Sequence, residues 1–195
     1  MKILAFGDSH GSMKALKQLK EKAKKADLII CIGDVTVFEQ NFRGVMKDLD
    51  GLGKPILMIH GNHEEEDTMQ KQCEDTKNII FAHEALVEVD DVIFSGFGGG
   101  GFSVTDKWMK AYYQTVKGKL SGKKWIFLTH APPVHTTLDN VHGADAGCKT
   151  VRDVIEKLQP EYAFAGHLHE NFGKKDKIKK TICVNPGPFG MFFDI

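Results

Sequence analysis

Tyr162-Ala163-Phe164-Ala165-Gly166-His167-Leu168-His169 decides the fold, because a short apolar run there opens into a glycine turn that presents two histidines. An apolar run of four residues bounded by turn formers reads as a buried strand, too short for a helix. Four stretches upstream repeat the pattern. Ile3 to Phe6 leads into Asp8-Ser9-His10, Leu28 to Ile32 into Gly33-Asp34, Ile56 to Ile59 into Gly61-Asn62-His63, and Trp125 to Leu128 into Thr129-His130. Strands apolar on successive residues belong to sheets covered on both faces. In an open α/β sheet the carboxyl ends of the strands line one edge, so loops far apart in sequence converge there.

The donors at these ends are carboxylate, imidazole and carboxamide, without thiolate. That set suits Mn, Fe, Co, Ni or Zn rather than Ca or a Cys-bound structural zinc. Seven candidate ligands are too many for one catalytic ion, which usually takes about three protein ligands and keeps a position for water. Two ions sharing a carboxylate fit better.

The ordered motifs D-x-H, G-D, G-N-H-[DE], H and G-H-x-H stand here as Asp8-Ser9-His10, Gly33-Asp34, Gly61-Asn62-His63-Glu64, His130 and Gly166-His167-Leu168-His169. With all five in register, the chain resembles the calcineurin-like metallophosphoesterase superfamily, and the match runs from residue 4 to the Asn185-Pro186-Gly187-Pro188 tail. The resemblance implies a four-layer αββα sandwich of the α/β class, with two mixed β-sheets face to face and helices on both outer sides. It implies that Asp8, His10 and His169 hold one divalent transition-metal ion, that Asn62, His130 and His167 hold the other, and that Asp34 bridges them. Manganese is the first choice of metal, ahead of Fe, Ni, Co or Zn. The implied activity is hydrolysis of a phosphodiester or phosphomonoester in a small or nucleotide-like substrate, by in-line attack of a hydroxide shared between the ions. Metals about 3.5–4 Å apart acidify such a water and clamp the attacking and leaving oxygens.

His63 stands apart from the other motif histidines. Adjacent residues of an extended segment point to opposite sides, so with Asn62 on the metals His63 is expected to be free of them. The resemblance makes it the group that contacts the phosphoryl oxygen or protonates the leaving oxygen. Members resembling protein serine/threonine phosphatases carry an acid three residues after the bridging Asp, followed by Arg-Gly. Here that position is Val37, so the chain looks nearer to small prokaryotic phosphodiesterase-like members, and Glu64, Glu65 or a backbone carbonyl is left to orient His63.

Composition sets the remaining bounds. At 195 residues, 42% hydrophobic and 27% charged, the chain is expected to form one metallophosphoesterase domain over residues 1–195. Lys plus Arg equals Asp plus Glu at 26 each, which gives no general pull toward nucleic acid or anionic lipid. The alternatives retained are a nuclease acting on single strands and a catalytically weak scaffold that binds protein partners, although no ligand position is lost. Cys31, Cys73, Cys148 and Cys183 form no C-x-x-C pair and read as reduced. No signal peptide or membrane span is read, so the expected location is cytoplasmic.

Helices are expected at Ser12 to Lys25 with Ser12 as cap, Phe38 to Leu49, His63 to Cys73 with an acidic first turn, Thr105 to Leu120 and Gly147 to Leu158. The stripe Trp108, Met109, Tyr112, Val116 and Leu120 is expected to pack in the core or to form a homo-oligomer surface. Ile79 to Phe81, Ala85 to Val89 and Val92 to Ser95 read as strands of the second sheet, which Thr181 to Val184 closes after a Lys-rich hairpin over 171–180. The glycine-rich loop at 96–107 lacks the Lys-Ser/Thr of a P-loop and reads as a connector able to reach the site rim. His142, in the loop after His130, is a candidate substrate contact. His60 reads as structural, and His83 has no partner in sequence.

Overall fold

The computed structural model describes residues 1–195 and places two mixed sheets back to back. In the first sheet, β1 (Lys2–Phe6), β2 (Leu28–Cys31), β3 (Ile56–Met58) and β4 (Ile79–Phe81) run parallel in that order, with one antiparallel strand, Met191–Asp194, beside β1. In the second, β5 (Ala85–Val89) pairs antiparallel with β6 (Val92–Phe97). Then β7 (Trp125–Thr129) follows β6 in parallel, and β10 (Tyr162–Phe164) follows β7 across a gap in sequence that holds the hairpin β8 (Asn140–Val141) and β9 (Ala144–Asp145). β11 (Lys175–Ile178) and β12 (Thr181–Val184) complete that sheet, β12 lying parallel to β10. The strand Met191–Asp194 is β13.

Three apolar layers follow from the alternation of side chains along each strand. Ile3, Ile30, Leu57 and Ile59 of the first sheet meet Phe94, Ile126, Leu128 and Phe164 of the second, and this is the layer between the sheets. The opposite faces are covered by helices. Leu4, Ile29 and Met58 pack on α1 (Met13–Ala23), α2 (Phe42–Asp50) and α3 (Glu66–Glu74), while Trp125, Phe127 and Ala163 pack on α4 (Lys107–Leu120) and α5 (Lys149–Leu158). Because both faces of each sheet are buried, the central strands are apolar throughout. A side chain such as Phe94, with no exposed area, gains about 1.5–3 kcal/mol from that burial.

Several sequence expectations are corrected. Ile79 to Phe81 belongs to the first sheet, because α3 carries the chain back to pair in parallel with β3, and the chain crosses to the second sheet from His83 onward. α2 starts at Phe42, four residues later than expected, since Phe38, Glu39 and Asn41 adopt φ of 45°, 61° and 51°, a left-handed backbone no helix contains. α3 starts at Glu66, because Glu65 before it is still extended, with φ of −76° and ψ of 141°. α4 starts at Lys107, where Asp106 accepts from the Trp108 and Met109 amides, and α5 at Lys149. On α4 the buried stripe runs through Tyr113, whose hydroxyl meets Ser95 at 3.0 Å, whereas Trp108 is 67% exposed. The strand Met191–Asp194 had no expectation at all. α1 matches its reading, and Ser12 Oγ accepts from Ala15 N at 3.3 Å. All four cysteines are free and buried, and no helix is long and apolar enough to cross a membrane.

Candidate metal centre

The loops after β1, β2 and β3 lie side by side at one edge of the first sheet, and those after β7 and β10 lie side by side at the same edge of the second. Their side chains form two triads, Asp8 with His10 and His169, and Asp34 with His130 and His167. Asp34 lies between them. Its Oδ2 is 3.4 Å from His130 Nε2 and 3.7 Å from His10 Nε2. Asn62 Oδ1 stands 3.0 Å from His130 Nε2, so all seven candidate ligands are gathered at this edge. His63 is there too, in a third group with His10 and Asp34, its Nε2 4.0 Å from Asp34 Oδ2.

Backbone conformation makes the convergence. Asp8, His10, Asp34 and His167 have φ of 54°, 44°, 52° and 69°. Such strain costs on the order of 1–3 kcal/mol per residue and persists only where the surroundings over-determine it. Here they do: Asp8 N donates to Gly33 O and His10 N to Asp34 O, each at 3.0 Å, while the Asp8 and Asp34 carboxylates accept from the amides of His167 and His63 at 3.0 and 2.9 Å. Gly33 and Gly61 back onto each other so closely that a side chain on the first would strike the Gly61 backbone, and one on the second the Asp34 carboxylate.

The histidine rings are oriented as metal ligands usually are, by a carbonyl behind the distal nitrogen. His10 Nδ1 lies 2.9 Å from Thr36 O, and His130 Nδ1 lies 2.8 Å from Ile32 O, which leaves each Nε2 facing the cluster. The cluster itself is unsatisfied. Asp8 Oδ2 and His167 Nε2 are buried without a hydrogen-bond partner, and the Nε2 atoms of His10 and His169 approach to 3.1 Å. Buried lone pairs aimed at a shared point are costly unless a cation takes them up, so the donor set fits divalent metal.

Charge within the cluster is strongly coupled. Burial alone would lower the His130 imidazole, yet its hydrogen bond and attraction to Asp34, with Asp8 adding, push it up to about 9. Asp34 is buried as well, but His130 and His63 hold it well below the usual carboxylate range. Burial raises Asp8, with the Asp34 charge adding to it against the pull of His130. His167 is lowered to about 4 by burial and then by His130, which keeps it neutral.

From sequence Glu64 is expected either in an acidic helix start or as a candidate to orient His63, and the structure gives it another place. It is 5% exposed, and its two oxygens accept from Asp34 N at 3.0 Å, Thr36 N and Thr36 Oγ1 at 2.8 Å, and Gly61 N at 3.2 Å. Both oxygens are thus used to tie the Asp34 loop to the Asn62 loop, and neither reaches His63. The signal available in sequence was the Gly61-Asn62-His63-Glu64 spacing, in which an acid three residues after a glycine can fold back onto its amide.

The residues outside the motifs divide. His142 is exposed at the turn between β8 and β9, with φ of 51°, and belongs to none of the His and Asp groups. The glycine-rich loop does reach the rim: Gly101 packs on the Asn62 side chain, and Phe102, 71% exposed, sets its ring edge-on to His167 at 4.3 Å. His60 is buried with its ring edge against His83, and His83 finds partners in the Gly98 amide at 2.8 Å and Glu66 at 3.5 Å.

Stacked mixed sheets with an Asp/His cluster able to hold two metal ions at one edge define a class of metal-dependent hydrolases. The family model of the calcineurin-like phosphoesterases matches residues 1–171, and the chain belongs to that family. It is accordingly a hydrolase of phosphoester bonds, in a family that depends on a dinuclear metal centre. No curated protein matches the chain in sequence. Among solved structures it is similar to TT1561 of Thermus thermophilus, with 18% identity, 95% of this chain and 88% of that one covered, and a TM-score of 0.77. It is similar also to a dimetal phosphatase from Danio rerio, with 12% identity, 94% and 86% covered, and a TM-score of 0.67. Phosphopantetheinyl hydrolase from Mycobacterium tuberculosis gives 12% identity, 95% and 88% covered, and a TM-score of 0.64. At such identities these likenesses speak for the fold.

Proposed function

We propose that this chain is a phosphodiesterase for small, nucleotide-like esters, working as one domain over residues 1–195 in a cytoplasmic setting. The observation that carries the reading is Asp34 Oδ2, placed between His10 and His130 so that one carboxylate can serve both triads. Asp8, His10 and His169 would hold one ion, Asn62, His130 and His167 the other, and manganese suits this thiolate-free donor set. Two divalent ions bound there would neutralise phosphoryl charge and acidify a water between them.

The chain's own groups do the rest. Asp8, Asp34 and the fixed imidazoles set the line along which a water oxygen bonds to phosphorus opposite the departing alcohol. As the P–O bond to that alcohol breaks, its electron pair stays on oxygen, and His63 Nε2, at the solvent side of the cluster, hands over a proton that solvent later returns. His142 and the 96–107 loop are the candidates for meeting the distal part of the ester.

Hydrolysis of bis(p-nitrophenyl) phosphate and of p-nitrophenyl phosphate, with Mn, Ni or Zn added, tests the reading. We expect the diester to be the better substrate and Mn the best metal. Monoester preference would overturn the diester assignment, and inertness toward both with every metal would favour a scaffold of the same fold.

A further inference from the structure

His63 is the one histidine of the cluster whose role depends on aiming a proton, and nothing hydrogen-bonds its ring from behind. Its Nδ1 is buried with no partner, whereas the corresponding atoms of His10 and His130 face the Thr36 and Ile32 carbonyls. Two rings bound it instead. The edge of His10 lies against it at 4.7 Å and 70°, and Phe38 stacks on its face at 4.2 Å between centroids and 21° between planes.

Phe38 itself is in an unexpected state. A bulky side chain with φ of 45° is a backbone outlier, and this ring is 68% exposed, so it gains little from burial. The segment around it is pinned from both sides. Glu64 holds Thr36, Thr36 Oγ1 accepts from Glu39 N at 3.1 Å, and the Glu39 carboxylate accepts from Glu65 N at 3.0 Å. These bonds fix the loop bearing Phe38 to the loop bearing His63, and what they hold in place is the stacked pair.

Resting on the phosphodiesterase reading, we propose that Phe38 is the positioning residue of His63, its ring face fixing the imidazole plane where a hydrogen-bond acceptor is absent. Among the rings of the cluster, Phe38 stacks on His63. It acts through His63, so its removal should weaken proton donation and leave the rest of the site in place.

The test is a series of thymidine 5′-aryl phosphodiesters running from p-nitrophenyl, whose phenolate leaves without protonation, to p-methoxyphenyl, which needs it. We expect Phe38→Ala to cost little on the first ester and about tenfold or more on the last, as a partial loss of acid assistance would. Phe38→Tyr, which keeps the ring, should restore the rate. In a His63→Ala background, Phe38→Ala should add no further loss, because both changes remove one unit. Independently of turnover, proton–carbon spectra of histidine-labelled protein should show the His63 ring protons shifted upfield by the stacked ring in wild type and in Phe38→Tyr, but not in Phe38→Ala. Both variants change an exposed side chain, and unchanged far-ultraviolet circular dichroism confirms that they fold. Equal loss across the leaving groups, additive loss with His63→Ala, or spectra unmoved by Phe38→Ala would each overturn the proposal. If wild type hydrolyses no ester of the series, the phosphodiesterase reading fails, and the spectra alone decide whether Phe38 fixes the ring.

Discussion

His130 and His63 stand 3.4 and 4.0 Å from the same oxygen of Asp34, yet they are held in opposite ways. His130 has no exposed surface and is bonded at both ring nitrogens, to the Ile32 carbonyl and to Asn62. His63 is partly open to solvent, unbonded at Nδ1, and bounded by rings rather than by acceptors. The contrast fits the roles proposed for the two residues. A ligand has one required direction, and a carbonyl on a neighbouring strand end fixes it rigidly. A group that gives and regains protons needs a path to water, and a stacked ring limits its tilt without occupying either nitrogen.

His130→Ala is the most severe way to break this contrast. It removes a proposed ligand from the closed end of the site, and we expect one metal equivalent to be lost by elemental analysis, with turnover falling further than the roughly 10⁴-fold ceiling of acid assistance. His63→Ala should keep both metal equivalents and lose about 10²–10⁴-fold in kcat, measured on an ester with a poor leaving group. Equal metal loss in the two variants would erase the distinction. Glu64→Ala acts behind both residues. It leaves buried donors of Asp34, Thr36 and Gly61 without an acceptor, each worth about 1–3 kcal/mol, and should lower thermal stability and weaken metal affinity by about 10–100-fold, read by calorimetry.

The smallest effect is one of pH on the metal-free protein. Burial, with His83 nearby adding to it, lowers His60 from 6.5 to about 3, and its Nδ1 is buried without a partner. Burial lowers His83 as well. A base depressed in the folded state is protonated more readily when unfolded, so its contribution is intact above pH 6.5 and is lost as the pH falls toward 3. By pH 4.5 the His60 share is on the order of 2–3 kcal/mol, since about two pH units separate that pH from the ordinary imidazole value. Urea midpoints at pH 7 and 4.5 should show it, and His60→Gln should lose it.

The side chains of the cluster were legible in sequence, and the surroundings of His63 were not. Asp8, Asp34, His130 and His167 each follow a strand buried on both faces, and such strands announce themselves as unbroken apolar runs. Around His63 the decisive features are conformational. Little in Val37-Phe38-Glu39-Gln40-Asn41 marks three left-handed residues, so the sequence predicts a helix where the chain in fact loops back to stack a ring. Glu64 has no unique reading in sequence, because an acid there can serve the helix dipole or orient His63, and only the folded loops reveal its four donors. The pairing of Met191–Asp194 with β1 joins opposite ends of the chain, beyond any local pattern, and the placement of β4 depended on which way α3 returned.

Asp8, His10, Asp34 and Asn62 come from one sheet, and His130, His167 and His169 from the other, so the centre straddles the seam of the sandwich. Its dimensions are therefore set by side chains that never touch it. Trimming Phe94 or Leu128 would let the two halves drift and spread the ligands apart, so even the deepest hydrocarbon of this molecule is under the discipline of its chemistry.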